Sequence, residues 1–266
     1  MKIGFIGTGN MGGALARAAA KGGHTLLLAN RTPAKAEALA KELGGTVCPN
    51  AEAAEKAELL FLGVKPQGLP GLAGELAPVL QARKGNAPVV VSMAAAVTLR
   101  ELDAMLGRGL PLIRIMPNTP AAVGAGTILY AAQNVTDAQL NAFRAVLAQA
   151  GLLLPLPEAQ IDAASAISGC GPAFCFQFAD ALALGGVRAG LSYPDACRLA
   201  AQIMLGAAEM LLQGGEAPDV LKMRVCSPAG TTIEGVLALE QGGFSYTVQN
   251  AVTAAYRRTV EMTRKG

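Results

Sequence analysis

Two short stretches bring together residue types that do chemistry. "GFIGTGNMGG" sets Gly7, Gly9 and Gly12 at G-x-G-x-x-G spacing directly behind the apolar run "KIGFI". In that setting Gly7 permits a tight turn, Gly9 lets a pyrophosphate approach the backbone, and Gly12 lets helix pack closely on strand. The opening helix then turns free N–H groups and its positive dipole end toward the phosphates. The second stretch, "CSPAGTTIEG" (226–235), gathers Ser227, Thr231 and Thr232 around a Pro–Gly break in an otherwise apolar, helix-like region. Ser227–Pro228 reads as an N-cap followed by proline at the first helical position. The N–H groups around Gly230–Thr232, with the hydroxyls, read as a compact anion site. "ISGCGPAF" (167–174) repeats the design with Ser168, Gly169, Gly171 and Pro172. Two ordinary helix caps are the plain alternative.

The next apolar run, "TLLLA" (25–29), ends in "NRTPAK", with no acid until Glu37. A carboxylate there would bond the ribose 2′-hydroxyl of NAD. Arg31 and Thr32 instead suit a 2′-phosphate, which favours NADPH over NADH, with both tolerated as the alternative. Lys65, held extended before Pro66, faces a phosphate or ribose, or is a plain surface lysine.

The hydride acceptor is narrowed by elimination. Tyr130, Tyr193, Tyr246 and Tyr256 are followed four residues on by Asn, Cys, Asn and Val, so the Tyr-x-x-x-Lys of short-chain carbonyl reducers is missing. Beyond Pro172 the first long helix offers Asp180 and Arg188, but not the lysine a hydroxyacid dehydrogenase would use. His24 is the single histidine and follows the turn-forming pair Gly22–Gly23, away from polar companions, which leaves His-based catalysis without support. A protonated C=N is already electrophilic and asks for less: a shaped pocket, a grip on a carboxylate, and a hydroxyl or water to handle one proton.

These residues need a frame to hold them. Apolar runs at 2–6, 25–29, 58–64, 87–92 and 112–116 alternate with helical stretches, as expected of strands buried on both faces of a parallel, doubly wound sheet. "GTILYAA" (126–132) and "GLLLPL" (151–156) add edge strands. From about 158 the pattern turns helical and apolar over most of the circumference, which points to packing against a second copy. The chain thus reads as α/β, with a Rossmann-type domain over 1–157 and an all-α dimerisation domain over 158–266. With 22 basic against 19 acidic residues and no dense basic run, nucleic-acid binding has little support. Five scattered cysteines show no metal-ligand spacing and suit a reducing, cytoplasmic setting. "ALARAAA" mimics a signal-peptide cleavage site, but cleavage there would discard the glycine loop. The longest apolar run, "PVVVSMAAAV", falls short of the ~20 residues that cross a membrane.

"FIGTGNMGGAL", "VKPQ", "RIMPNTPAAVGAG", "SGCGPAF" and "VCSPAGTTIEGVLALEQGGF" together resemble the motifs of the pyrroline-5-carboxylate reductase family, in order and over the whole length. The resemblance implies NAD(P)H-dependent reduction of 1-pyrroline-5-carboxylate, a cyclic imino acid, to L-proline. It also implies dimers that assemble into larger rings. It places Gly7, Thr8, Gly9, Asn10 and Met11 on the pyrophosphate, Asn30 and Arg31 near the adenosine ribose, and Asn50 on the cofactor. Val64, Lys65, Pro66, Met93, Ala94 and Ala95 would line the rest of the groove. Ser227, Gly230, Thr231 and Thr232 would receive the substrate carboxylate, with Thr232 or water as proton donor, and Glu158 would contact substrate. Cys170 stands where the family commonly has Ser, and Ala229 where Gly is frequent. Reduction of a six-membered imine or a 3-hydroxyacid, or NADP(H) binding without turnover, would be the rival functions.

Overall fold

The computed structural model describes residues 1–83 and 85–263. The apolar runs fold as β1 (Lys2–Ile6), β2 (Thr25–Ala29), β4 (Leu59–Leu62), β5 (Val89–Ser92) and β6 (Leu112–Pro117), and the two-residue β3 (Thr46–Val47) joins them. Between them run α1 (Asn10–Ala20), α2 (Pro33–Leu43), α3 (Asn50–Lys56), α4 (Leu69–Ala82) and α5 (Leu99–Leu106). Local signals set the ends. Pro33 opens α2 and Gly44 closes it at φ 70°, while Thr98 and Glu101 form a reciprocal capping box on α5.

The strands lie in the order β3-β2-β1-β4-β5-β6, followed by β7 (Gly126–Gln133) and β8 (Gly151–Pro155). Order reverses between β1 and β4, the switch point at which such sheets bind nucleotides. Strands β1 to β6 are parallel, whereas β7 runs antiparallel to β6 and β8 parallel to β7. The sheet is therefore mixed, and β7 is an inner strand rather than an edge. Its direction follows from the link, residues 118–125, which is too short for the crossover a parallel neighbour needs. Helix α6 (Asp137–Leu147) supplies that crossover between β7 and β8.

Alternate strand residues feed the two faces. Ile3, Phe5, Leu26, Leu28, Phe61 and Ile113 pack on one side, and Ile6, Leu27, Leu60, Leu62, Val90 and Leu112 on the other. Burial on both faces explains why these strands read as unbroken apolar runs.

The chain forms two compact units, Met1–Gly169 with Tyr256–Gly266, and Cys170–Ala255. Helix α7 (Glu158–Ser168), on the helical side of the sequence division, packs with the sheet through buried Ile161 and Ala166. The second unit holds α8 (Gly171–Arg188), α9 (Tyr193–Gly214), α10 (Pro218–Arg224), α11 (Thr231–Gln241) and the start of α12 (Phe244–Thr263). Its buried residues are Ala183, Ala196 and Ala200, while Phe176 is 70% exposed and Leu212 80%. Within Glu158–Arg188 an 18-residue window is apolar enough to cross a membrane by length and composition, and 6% of it is buried. Counting unbroken runs misses it because Ser165, Ser168 and Gln177 interrupt the sequence.

Candidate active site

At the switch point two of the three glycines, Gly7 and Gly12, are held by backbone. Gly7 has φ 98°, and a Cβ on it would lie 2.4 Å from the Gly63 carbonyl oxygen. The Gly7 N–H donates to Ala29 O (2.8 Å) and the Gly63 N–H to Ile6 O (2.7 Å), tying the loop to both neighbouring strands. A Cβ on Gly12 would lie 2.0 Å from Gly7 O, so only glycine lets α1 sit this close to the loop. Gly9, by contrast, has no neighbouring atom within 4 Å of its Cβ position: its freedom faces open space.

Helix α1 starts at Asn10 and Met11 with neither a side-chain cap nor an acid in its first turn. Its leading N–H groups are left for an anion. Thr8 is 7% exposed, and its hydroxyl makes no hydrogen bond within the chain. An open glycine, an uncapped helix and an orphaned hydroxyl together fit a pyrophosphate.

Asn30 has a more internal position than its motif suggests. Its Oδ1 accepts the Thr8 N–H (3.0 Å) and its Nδ2 donates to Thr32 O (3.0 Å), latching the glycine loop to the β2–α2 loop. Arg31 and Thr32 remain exposed beside it. Lys65 is exposed with ψ 153°, extended before Pro66 as required, at the end of β4 next to half-buried Val64. Asn50 opens α3, and its amide donates to Glu75 Oε2 at 3.0 Å. Beyond β5, Met93 and Ala95 are half-buried, but Ala94 is buried and can offer only backbone. All of these residues leave the sheet at the C-terminal ends of β1, β2, β4 and β5 or in the loops that follow β2 and β3.

In the second unit the 226–235 stretch departs from the sequence reading. Ser227 is not the cap of α11; Gly230 is, with φ −82° and ψ 168°. Residues 227–230 form a turn closed by the Gly230 N–H donating to Ser227 O at 3.0 Å, with Pro228 second and Ala229 third at φ 56°. That is a type II turn, whose third position favours glycine, so Ala229 is strained. A Cβ on Gly230 would meet Ser227 Oγ at 2.3 Å, which places that hydroxyl directly over the helix start. Thr231 and Thr232, both exposed, are then the first two residues of α11, which lacks a side-chain cap. The anion-site geometry is present, three residues later than Ser227–Pro228 suggests. The second break is different in kind. Gly169 (φ −78°, ψ −42°) and Cys170 (φ −91°, ψ −28°) keep right-handed helical dihedral angles, so this break is not a fresh helix start.

Sequence reasoning passed over two buried polar groups. Arg114, 5% exposed on β6, reaches Asp162 Oδ1 at 2.6 Å and Glu158 Oε1 at 3.4 Å, and Glu158 Oε1 also accepts the Leu99 N–H at 2.7 Å. Glu158 is thereby committed to holding α7 and α5 on the sheet. Asn118, 8% exposed, links the loop after β6 to the end of α7. Both residues lie inside "LIRIMPNTP", where an arginine in a strand and an asparagine before Thr-Pro carry no periodic signal. Arg224, not counted among the site residues, pairs with Glu216 through both guanidinium nitrogens. Among the described residues no group of three or more His, Cys, Asp and Glu could hold a metal ion.

Residues 2–96 match the family model described as NADP oxidoreductase coenzyme F420-dependent, and residues 158–262 match the one described as pyrroline-5-carboxylate reductase dimerisation. A pyrroline-5-carboxylate reductase of Synechocystis sp. is 39% identical, covering 100% of this chain and 99% of its own length. Among solved structures, a pyrroline-5-carboxylate reductase from Coxiella burnetii is similar with a TM-score of 0.90 and 31% identity over 97% of both chains. The Plasmodium falciparum pyrroline carboxylate reductase with NADP bound gives a TM-score of 0.85 and 30% identity over 99% of both.

Proposed function

The chain belongs to the pyrroline-5-carboxylate reductase family, and from that premise we propose that it uses NADPH to reduce 1-pyrroline-5-carboxylate to L-proline, the last step of proline synthesis. It is an NAD(P)H-dependent oxidoreductase with a dimerisation domain. The preference for NADPH rests on Arg31 and Thr32 beside the latched Asn30, where an NAD site would carry an acid. Gly7, Gly9 and the uncapped start of α1 hold the pyrophosphate. Reduced nicotinamide supplies hydride to the imine carbon.

The observation that carries the substrate reading is the start of α11: an uncapped helix end behind a strained turn, led by two exposed threonines. The N–H groups of Gly230–Thr232 and the Ser227 hydroxyl grip the carboxylate, a helix end being worth ~0.3–1 kcal/mol to an exposed anion. The Thr232 hydroxyl relays a proton from water to the imine nitrogen, taking one from water as it gives one up. We read the apolar helix within Glu158–Arg188 as an association surface, since the dimerisation model covers it from residue 158 onward. Larger rings and a cytoplasmic setting accord with this reading.

Mixing the purified protein with 1-pyrroline-5-carboxylate and NADPH, and following cofactor absorbance with product analysis, tests the reaction. Proline formation is expected. Folded protein that binds NADPH but forms no proline would sink the reading. Arg31→Ala should lower the NADPH-over-NADH ratio of kcat/KM about 10-fold, by loss of charge-assisted bonds to the 2′-phosphate; an unchanged ratio would remove Arg31 from that role. Thr232→Val, nearly isosteric and at an exposed position, should reduce kcat roughly 10- to 100-fold with NADPH affinity unchanged. Equal loss of NADPH affinity would place the residue in the cofactor site instead.

A further inference from the structure

The glycine loop that follows β1 and the loop that follows β2 are tied together by one side chain. Where β1 and β2 stop pairing, at Ile6 and Ala29, the Gly7 N–H still donates to the Ala29 carbonyl at 2.8 Å. One residue further a side chain takes over from the backbone: the Thr8 N–H donates to Asn30 Oδ1 at 3.0 Å. The other end of the same amide, Nδ2, donates to the Thr32 carbonyl at 3.0 Å, which also accepts the Lys35 N–H at 3.1 Å. Asn30 therefore fixes, at once, the backbone just before Gly9 and the backbone that carries Arg31 and Thr32.

The partners decide the residue type. An N–H needs an acceptor and a carbonyl needs a donor, and a side-chain amide offers one at each end. A carboxylate of the same shape could still receive Thr8 but would turn an oxygen toward the Thr32 carbonyl. Asn30 is the first residue beyond β2, the place where an acid would bond the ribose 2′-hydroxyl of NAD. Here that side chain is turned inward, and the exposed Arg31 and Thr32 are left to meet the coenzyme. On the other side of the tie lie the open Gly9 and the Thr8 hydroxyl, which is buried and makes no hydrogen bond within the chain.

Taking NADPH as the coenzyme, as proposed above, we infer that Asn30 is a positioning residue that makes the pyrophosphate loop and the 2′-phosphate loop one binding unit. It sets coenzyme preference without itself supplying a charge. Arg31 is long and exposed, so each bond it forms with a phosphate is offset by the ordering of its own loop. Holding the Thr32 carbonyl orders that loop beforehand, and the bond to Thr8 passes the order to the pyrophosphate side. By linkage the effect runs both ways: a phosphate held at one loop favours binding at the other. NADH lacks the 2′-phosphate and gains less from the tie.

Fluorescence titration of each coenzyme onto the purified protein, with no substrate present, tests the tie. Asn30→Ala should weaken NADPH about 10-fold and NADH about 2-fold, lowering the preference about 5-fold with Arg31 untouched. In an Arg31→Ala background the same change should move the preference by less than about 2-fold, because the residue it positions is gone. A residue that merely stabilises the fold would weaken both coenzymes alike. A second readout uses adenosine 2′-monophosphate, which carries the phosphate and no pyrophosphate. It should slow backbone amide exchange at residues 7–10 in the parent and not in Asn30→Ala. An unchanged preference in Asn30→Ala, or an equal effect with and without Arg31, overturns the tie. So does exchange at residues 7–10 of the parent that ignores adenosine 2′-monophosphate. A parent that prefers NADPH but makes no proline overturns the reaction and leaves the tie standing. A parent without that preference overturns the coenzyme reading and the tie together. Should Asn30→Ala not fold, Asn30→Ser, too short to span both partners, enters the same comparison.

Discussion

Gly12→Ala is expected to cost the protein both its thermal stability and its cofactor, whereas Gly9→Ala should cost only the cofactor. The two glycines are three residues apart in one loop, yet their surroundings are opposite. A methyl group on Gly12 falls 2.0 Å from the Gly7 carbonyl oxygen. The clash is with backbone on both sides, so no rotamer relieves it. Recovering an ordinary contact requires α1 to retreat by about 1 Å or more, at the ~1–3 kcal/mol typical of an overpacked site. That retreat also pulls the leading N–H groups off the pyrophosphate, and NADPH affinity should fall at least about 100-fold. On Gly9 a methyl meets nothing within 4 Å. The free enzyme should melt as the parent does while the phosphates are kept from the backbone. Thermal unfolding and fluorescence titration of NADPH on both variants check this. Equal melting temperatures for the pair would mean that Gly12 does not set the helix–loop distance.

Arg114→Met should lower stability by about 3 kcal/mol, near the foot of the range for stripping one partner from a buried ion cluster. The guanidinium answers two carboxylates, Asp162 at 2.6 Å and Glu158 at 3.4 Å, and its own side chain is 5% exposed. The carboxylates are about a quarter exposed, which keeps the expected loss from reaching the top of the range. At ~2–4 °C per kcal/mol for a chain of this size, the midpoint should drop by about 6–12 °C. A shift under about 1 °C would show that α7 is held to the sheet by apolar packing alone. The same cluster bears on Glu158. Its family counterpart suggests contact with substrate, but here Oε1 is shared between Arg114 and the Leu99 N–H. Glu158→Gln should therefore be felt in stability at least as much as in KM.

How much of this was legible beforehand depends on whether the determinant is local. The strands buried on both faces announce themselves as apolar runs, and the glycine loop announces itself because each glycine answers a separate local demand. β3 does not, since two residues give no period. The reversed direction of β7 was written only in the length of the link before it. The start of α11 was misplaced because Ser–Pro is a good N-cap signal, yet a type II turn with Ala229 in left-handed conformation intervenes and hands the cap to Gly230. Arg114 and Asn118 were invisible for a different reason. Their partners in α7 lie 44 to 50 residues away, so although both residues fall within "RIMPNTPAAVGAG", neither periodicity nor spacing there says what they hold.

The helical unit has a consequence best put as mass action. Between residues 170 and 255 the side chains withdrawn from solvent are three alanines, while Phe176, Ile203, Leu212 and Tyr246 lie open. Three methyl groups cannot offset the ordering entropy of those helices. For this third of the chain, folding and self-association are then a single equilibrium, and stability carries units of concentration. The loop at 227–232, proposed above to hold the substrate carboxylate, rides on that equilibrium, so under this reading the protomer that binds NADPH in dilute solution and the one equipped for substrate need not be the same species.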